Sequence, residues 1–162
     1  MQGGFVSYAL LAALATALVF AAVTDIRRRQ IDNWLTAAIA LTAPLFWLAT
    51  GLGWEQVAWQ VGIGVITFVV LAALFALGQM GGGDVKLLTA LALWVQPFWF
   101  TRLIVVMAIV GGLLTLAFAL HHRLKKREDR LAVPYGVAIS IAGLWTLARQ
   151  YVLDDLAAPI LG

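Results

Sequence analysis

The sequence Gly81-Gly82-Gly83-Asp84-Val85-Lys86 stands between two long apolar runs, residues 57–77 and 87–101. Three consecutive glycines let the backbone turn and approach a neighbouring segment closely. An acid and a base follow them at the edge of an apolar run. An ionisable side chain is costly at the edge of a membrane span, so it indicates a functional site. The fold therefore depends on whether the flanking runs cross a membrane.

The composition is that of an integral membrane protein. Of the 162 residues, 63% are hydrophobic and 12% are charged, whereas soluble domains are about 45–50% apolar and about 25% charged. The length suits one transmembrane domain over residues 1–162. The chain has no cysteine, which excludes disulfides, thiolate metal sites and cysteine nucleophiles. Its two histidines, His121 and His122, are adjacent and do not share a helix face, so we expect no metal ion and no other cofactor.

Six apolar segments predict an all-α, polytopic bundle of about six transmembrane helices, since about 20 apolar residues span a bilayer. The segments are residues 1–24, 34–54, 57–77, 87–101, 102–120 and 132–152. All Lys and Arg residues except Arg102 and Arg149 then fall on one face, which this excess assigns to the cytoplasm. Both termini are predicted to lie outside. Topology explains the basic clusters, so nucleic-acid binding is not expected, and the basic loop 121–130 is expected to meet lipid headgroups.

The fourth segment, residues 87–101, is short for a membrane span. A helix of about 15 residues covers roughly 22 Å, less than the roughly 30 Å of the hydrocarbon core. We therefore expect it either to include Asp84 and Lys86 at its inner end or to thin the bilayer. Pro97 is expected to break this helix at an exterior turn. Three tryptophans are expected at the membrane interfaces: Trp34, Trp94 and Trp99.

A second acid, Asp25, ends the first apolar segment on the same face as Asp84. Two carboxylates in a partly dry site cannot both ionise easily, so one of them keeps a proton. The ionised carboxylate can take a proton from water while the other donates to a carbonyl oxygen. Amide hydrolysis needs this division of labour. The sequence therefore predicts that Asp25 and Asp84 face each other as an acid–base pair.

Simpler explanations exist for each of these residues. Asp84 could cap a helix, and Asp25 could form an ion pair with Arg28 or Arg29. The three glycines could form a flexible turn, or an extended edge to which a substrate backbone adds as a strand. For Lys86 we favour an anchor at the membrane surface over a group that tunes the two acids.

Two other classes of function stay open. A small transporter or ion-coupling subunit could use intramembrane aspartates, but this does not explain the three glycines, and transport sites more often lie near the midplane of the membrane. A structural subunit of an export complex could carry the aspartates only as helix caps.

Three motifs of the chain resemble those of the type IV prepilin peptidases, membrane aspartic peptidases of the GxGD class. They are Thr24-Asp25-Ile26-Arg27 with Arg29, Ile31 and Asn33, then Gly81-Gly82-Gly83-Asp84-Val85-Lys86-Leu87, then Val133-Pro134-Tyr135-Gly136-Val137-Ala138. Order, spacing and the six-span layout agree over nearly the whole chain. The resemblance implies that Asp25 and Asp84 are catalytic. It implies that eight other residues bind substrate or shape the site: Gly81, Gly82, Gly83, Lys86, Asn33, Pro134, Tyr135 and Gly136.

The resemblance also implies a substrate and a location. The two aspartates would activate water to cleave a short basic leader from prepilins or pseudopilins, just before an apolar N-terminal helix. The cut would fall at the cytoplasmic face of the cell inner membrane. The chain lacks the cysteine-bearing insertion of large members that also N-methylate the new terminus, and its size resembles the small branch that serves tight-adherence (Flp) pili. Asp32 stands where the first motif often has proline, and this third carboxylate is a rival for the role of Asp25.

Overall fold

The computed structural model describes residues 4–124 and 134–153, which form a bundle of α-helices with no strand among them. The helices are α1 (Phe5–Arg28), α2 (Asn33–Ala49), α3 (Trp54–Ala76), α4 (Gly82–Ala92), α5 (Pro97–Leu124) and α6 (Tyr135–Leu147), and a π-helical segment, Ala148–Leu153, follows α6. The predicted all-α membrane bundle is confirmed. The basic loop beyond residue 124 and the C-terminal tail beyond residue 153 lie outside the described residues.

Three helices are long and apolar enough to cross a membrane: Phe5–Arg28, Trp54–Ala76 and Pro97–Leu120. Much of their apolar surface faces outward. Val65, Ile66 and Val69 on α3 and Ile109 and Leu113 on α5 are each more than half exposed. Such a surface would be unfavourable in water but suits the lipid phase. The count of six spans and the side on which each terminus lies stay predictions.

The short helix α4 forms the centre of the bundle. It packs against α2, α3 and α6, and Leu87, Leu88 and Leu91 have no exposed surface. From Leu87 to Ala92 the helix is apolar except for Thr89, which suits a position surrounded by other helices.

The predicted bounds of the fourth span were wrong. In place of a helix over residues 87–101, α4 begins at Gly82, where the Val85 N–H donates to the Gly81 carbonyl oxygen at 3.2 Å. It therefore includes Asp84 and Lys86, as one of the two alternatives expected, but with 11 residues it is shorter than the predicted segment. The helix ends at Ala92, and Pro97 is the first residue of α5, a position that suits proline because its missing N–H would be unpaired there.

Long-range hydrogen bonds hold the connection between α4 and α5. The Trp47 Nε1–H donates to the Leu93 carbonyl oxygen at 2.8 Å, and the Trp94 Nε1–H donates to that of Ile39 at 2.8 Å. The Tyr151 hydroxyl donates to the Trp94 carbonyl oxygen at 2.6 Å. The expected interfacial position is wrong for Trp94, which is 1% exposed, because its indole fills the core beneath this connection.

Candidate active site

Asp25 lies in the last turn of α1 and is buried, with 6% of its surface exposed. The helix ends because Arg29 adopts the left-handed conformation, with φ 53° and ψ 35°, and donates its N–H to the Asp25 carbonyl oxygen at 2.9 Å. This turn directs the chain towards α2. Asp25 Oδ2 is buried and has no hydrogen-bond partner among the described residues.

Asp84 lies in the first turn of α4, and its carboxylate is half-buried. The N–H of Gly81 interacts with that carboxylate. A Cβ atom on Gly81 would stand 2.9 Å from Asp84 Oδ2, so the absence of a side chain there leaves room for the acid. Asp84 thus occupies the capping region of α4 by position, while its side chain faces the interior.

Asp25 and Asp84 line one cavity of about 270 Å³ at this end of the bundle. The other lining residues come from the α1–α2 connection and the start of α4: Arg29, Gln30, Ile31, Asn33, Gly81, Gly82, Gly83 and Lys86. The negative charge of Asp25 acts on Asp84 across this space. The structure therefore brings together the two acids that the sequence paired.

The glycines allow close packing at the base of the cavity. A Cβ on Gly83 would lie 3.2 Å from the Cβ of Ile31, and one on Gly82 would lie 3.3 Å from Cε2 of Phe75. The expectation of an extended edge is wrong for Gly82 and Gly83, which belong to the first turn of α4. Only Gly81 is extended, with φ −73° and ψ 142°.

Lys86 connects α4 to α2. Its Nζ donates a hydrogen bond to Asn33 Oδ1 at 2.7 Å, and both side chains are exposed. The lysine therefore binds a second residue of the predicted site, an arrangement that a simple membrane anchor does not require. Together with Arg29 it places positive charge at the rim of the cavity.

The third motif contributes one residue to the site and directs another away from it. Gly136, in the first turn of α6, packs on Asp25, and a Cβ there would lie 2.8 Å from Asp25 Oδ2. The Tyr135 ring instead packs on Gly111 of α5, where a Cβ would be 3.0 Å from Tyr135 Cε1. Pro134 holds the N-cap position of α6. None of the three residues Pro134, Tyr135 and Gly136 lines the cavity, although Gly136 packs on Asp25, which does.

Asp32 does not join the two acids. It is half-buried at the N-cap position of α2 and makes no capping hydrogen bond with its side chain. The cavity is lined by its neighbours Ile31 and Asn33 but not by Asp32. Ile31 belongs to the first motif of the resemblance but was not predicted as a site residue; it is 5% exposed and is the one apolar residue between Arg27 and Asn33. That isolated apolar residue in a polar loop was the available signal.

Asp84 lies outside the three long apolar helices, and its environment disfavours the charged form. Burial, and then the negative charge of Asp25, raise the pKa of Asp84 to about 6, against an opposing effect of the Gly81 N–H. A carboxyl group whose pKa rises on folding stabilises the folded state most below its unfolded pKa of 3.8. That contribution is lost as the pH rises through about 6.

Because the raised pKa of Asp84 makes its charged form unfavourable in the folded state, we predict that Asp84→Asn stabilises the protein at neutral pH. Relative to the native protein, the variant should have a Tm higher by about 4 °C at pH 7.5, because ~1 kcal/mol corresponds to about 2–4 °C in a chain of this size. The difference should shrink towards pH 4. Thermal unfolding in detergent at several pH values measures it, with Asp32→Asn as the matched control outside the cavity. A native protein at least as stable as the variant at pH 7.5 would contradict the prediction.

A larger cavity, of about 720 Å³, lies at the opposite end of α4. Its described lining is uncharged and includes Gln56, Gln60, Gln96 and Trp59. Without a titratable group among these residues, it offers no acid or base for hydrolysis. The smaller cavity is therefore the candidate active site. Within the described part of the chain, no three His, Asp or Glu side chains cluster so that they could hold a metal ion.

The chain also matches a known protein family. Residues 12–120, about two thirds of the sequence, match the model of the type IV leader peptidase family. This region contains Asp25 and Asp84 and ends before α6. Comparisons with curated proteins and with solved structures find no match.

Proposed function

Because the chain belongs to the type IV leader peptidase family, we propose that it removes the leader peptide of type IV prepilins with Asp25 and Asp84 as an aspartic catalytic pair. The family supports a leader peptidase activity in general. The observation that carries the aspartic assignment is the cavity shared by the two carboxylates, which three different helices close around.

The cavity suits hydrolysis of an amide by activated water. One carboxylate removes a proton from a water molecule, and the other carboxyl group donates a proton to the carbonyl oxygen under attack. The two acids have unequal surroundings, since Asp25 is buried whereas Asp84 is half-buried. Unequal surroundings separate the pKa values of two carboxyl groups, so that one group keeps a proton while the other is ionised. This is the state that the chemistry needs.

The cavity lies at the ends of helices, and this supports cleavage at a membrane surface. Asp25 is in the last turn of the long apolar helix α1, beside Arg27 and Arg28. Basic residues at a helix end favour the cytoplasmic side, so we assign the site to the cytoplasmic face of the cell inner membrane. A precursor with a short basic leader and an apolar N-terminal helix could keep its helix in the bilayer while the leader reaches the site.

Two finer assignments are part of the same proposal. The first is that the substrates are Flp-like prepilins or pseudopilins, and the second is that cleavage is not followed by methylation; the resemblance of the three motifs supports the first, and the lack of cysteine in residues 1–162 supports the second. A transporter that couples to ions is not favoured, because the acids lie at one end of the bundle, whereas transport sites more often lie near its middle.

Cleavage of a defined precursor tests the proposal. The purified protein in detergent micelles is incubated with a synthetic precursor that carries a basic leader, a glycine at the cut and an apolar helix. We expect one product that mass spectrometry assigns to cleavage directly after the glycine, at an equal rate with and without EDTA. Absence of cleavage from this precursor and from co-expressed prepilins of the Flp type would overturn the proposed function.

A further inference from the structure

Arg102 is the only charged residue in Pro97–Leu120, the part of α5 that is long and apolar enough to cross a membrane. A charged side chain within a membrane span is costly, and it indicates a functional site. The start of α5 follows the end of α4 that lies opposite Asp84, so Arg102 is remote from the two acids. The proposed catalysis therefore leaves this charge without a role.

Two aromatic rings of α5 hold the guanidinium of Arg102. Its Cζ atom lies 4.3 Å from the centroid of the Phe98 ring and 4.8 Å from that of the Trp99 ring. These residues precede the arginine by four and three positions, so its side chain points back towards the start of the helix. That direction brings the charge from the apolar span towards the membrane surface. The Trp99 ring in turn contacts Trp145 of α6, with centroids 6.4 Å apart.

The guanidinium keeps its donors for a ligand. Within the part of the chain that the structure describes, Arg102 forms neither a hydrogen bond nor an ion pair with another residue. Aromatic rings stack on the face of a guanidinium, whereas its N–H groups lie at the edge and can bind a phosphate through two parallel hydrogen bonds. Arg102 is therefore held in place by its neighbours and is ready to bind an anion.

A groove of about 330 Å³ lies beside Arg102 between α5 and α6. Its other described lining residues are Thr101, Val105, Val106 and Trp145, none of which is acidic. The groove is thus apolar along most of its surface, with one positive charge. This combination matches a molecule that has both an anionic group and an apolar part.

The apolar surface of α5 continues from the groove along the membrane span. Val105, Ile109 and Leu113 are each more than half exposed, and their spacing of four residues places them on one side of the helix. A second cation, Arg149, is exposed and follows Trp145 by four residues. The surface therefore carries positive charge at one end and an apolar stripe that leads away from it, as an anionic lipid does in complementary form.

We propose that the groove between α5 and α6 binds an anionic phospholipid, with its phosphate group at Arg102 and its acyl chains along the exposed side of α5. The positive charge favours an anionic headgroup over a neutral one. The apolar stripe favours a lipid over a soluble phosphate ester. This site lies away from the cavity of Asp25 and Asp84, and its test needs no peptidase substrate.

Tryptophan fluorescence tests the proposal, because Trp145 lines the groove. The protein is placed in phosphatidylcholine nanodiscs with a minor fraction of phosphatidylglycerol or phosphatidylcholine that is brominated in the upper acyl chain, since bromine quenches a nearby indole. The difference between each protein and its Trp145→Phe form gives the signal of Trp145. We expect brominated phosphatidylglycerol to quench this signal about fivefold more than brominated phosphatidylcholine, the preference given by one basic residue near a membrane surface.

The variant Arg102→Gln should remove this preference, whereas Arg28→Gln should retain it. Arg28 is the matched control because it is also exposed but lies at the end of α1, beside the cavity of the acids. Equal quenching by the two lipids in the native protein, a preference that survives in Arg102→Gln, or an equal loss in Arg28→Gln would overturn the proposal. Loss of the preference on addition of glycerol phosphate in molar excess would also overturn it, because the groove would then bind a soluble phosphate ester.

Discussion

Asp25→Asn and Asp84→Asn are each expected to lower kcat for leader cleavage by about 10³-fold or more. Asparagine has nearly the shape of aspartate but neither accepts nor donates the proton that amide hydrolysis requires, and acid–base catalysis by one positioned group contributes about 10²–10⁴-fold. Both acids line the same cavity, so loss of either removes a different step of one reaction. Co-expression with a prepilin, read by the shift of the precursor band on a gel, measures the effect, and purified proteins give kcat.

The control for this pair is Asp32→Asn. Asp32 belongs to the same connection between α1 and α2 but is absent from the lining of the cavity, so its variant should cleave within about threefold of the native rate. Binding of precursor by the two inactive variants should persist, because their folds are unchanged. Full processing of the precursor by Asp25→Asn or by Asp84→Asn would show that the pair is not catalytic.

Much of the architecture was predictable because its causes are local. Apolar segments separated by charged loops predicted six helices, and the basic residues predicted that Asp25 and Asp84 share one end of the bundle. The short fourth segment allowed two outcomes, and inclusion of Asp84 in the helix was one of them. Its predicted C-terminal bound was wrong because the chain leaves α4 at Ala92 to pack Trp94 inward, where it contacts α2 and the segment after α6.

The site was predictable in its residues but not in their arrangement. The acids beside glycines predicted the pair, and the resemblance added Gly136 as a residue that binds substrate or shapes the site. Its packing on Asp25 depends on the distance between α6 and α1, which no local pattern contains. The same holds for Ile31, whose burial follows from the approach of Gly83. Pro134 and Tyr135 were expected to join the cavity, yet Pro134 is the N-cap of α6 and the Tyr135 ring packs on Gly111 of α5, because successive residues at a helix start point in different directions.

The end of α4 that carries Asp84 is held in place by the opposite end, where Trp94 joins α4, α2 and the π-helical segment. Its ring stacks on Phe46 with centroids 5.0 Å apart, and its Nε1–H donates to the carbonyl oxygen of Ile39. Its own carbonyl oxygen accepts the hydroxyl proton of Tyr151. The residue follows α4 directly, so it fixes that helix against α2 and against the π-helical segment that follows α6.

Trp94→Ala is therefore expected to destabilise the protein by about 3–5 kcal/mol, the range for truncation of a large buried aromatic side chain. In a chain of this size the Tm should fall by roughly 6–20 °C, because the substitution leaves a cavity and removes the hydrogen bond to Ile39. Thermal unfolding in detergent measures the change. Trp54→Ala is the matched control, since Trp54 is 90% exposed and its loss should shift the Tm by no more than about 2 °C. If the Tm of Trp94→Ala also stays within about 2 °C of the native value, the contacts of Trp94 do not hold α4 in place.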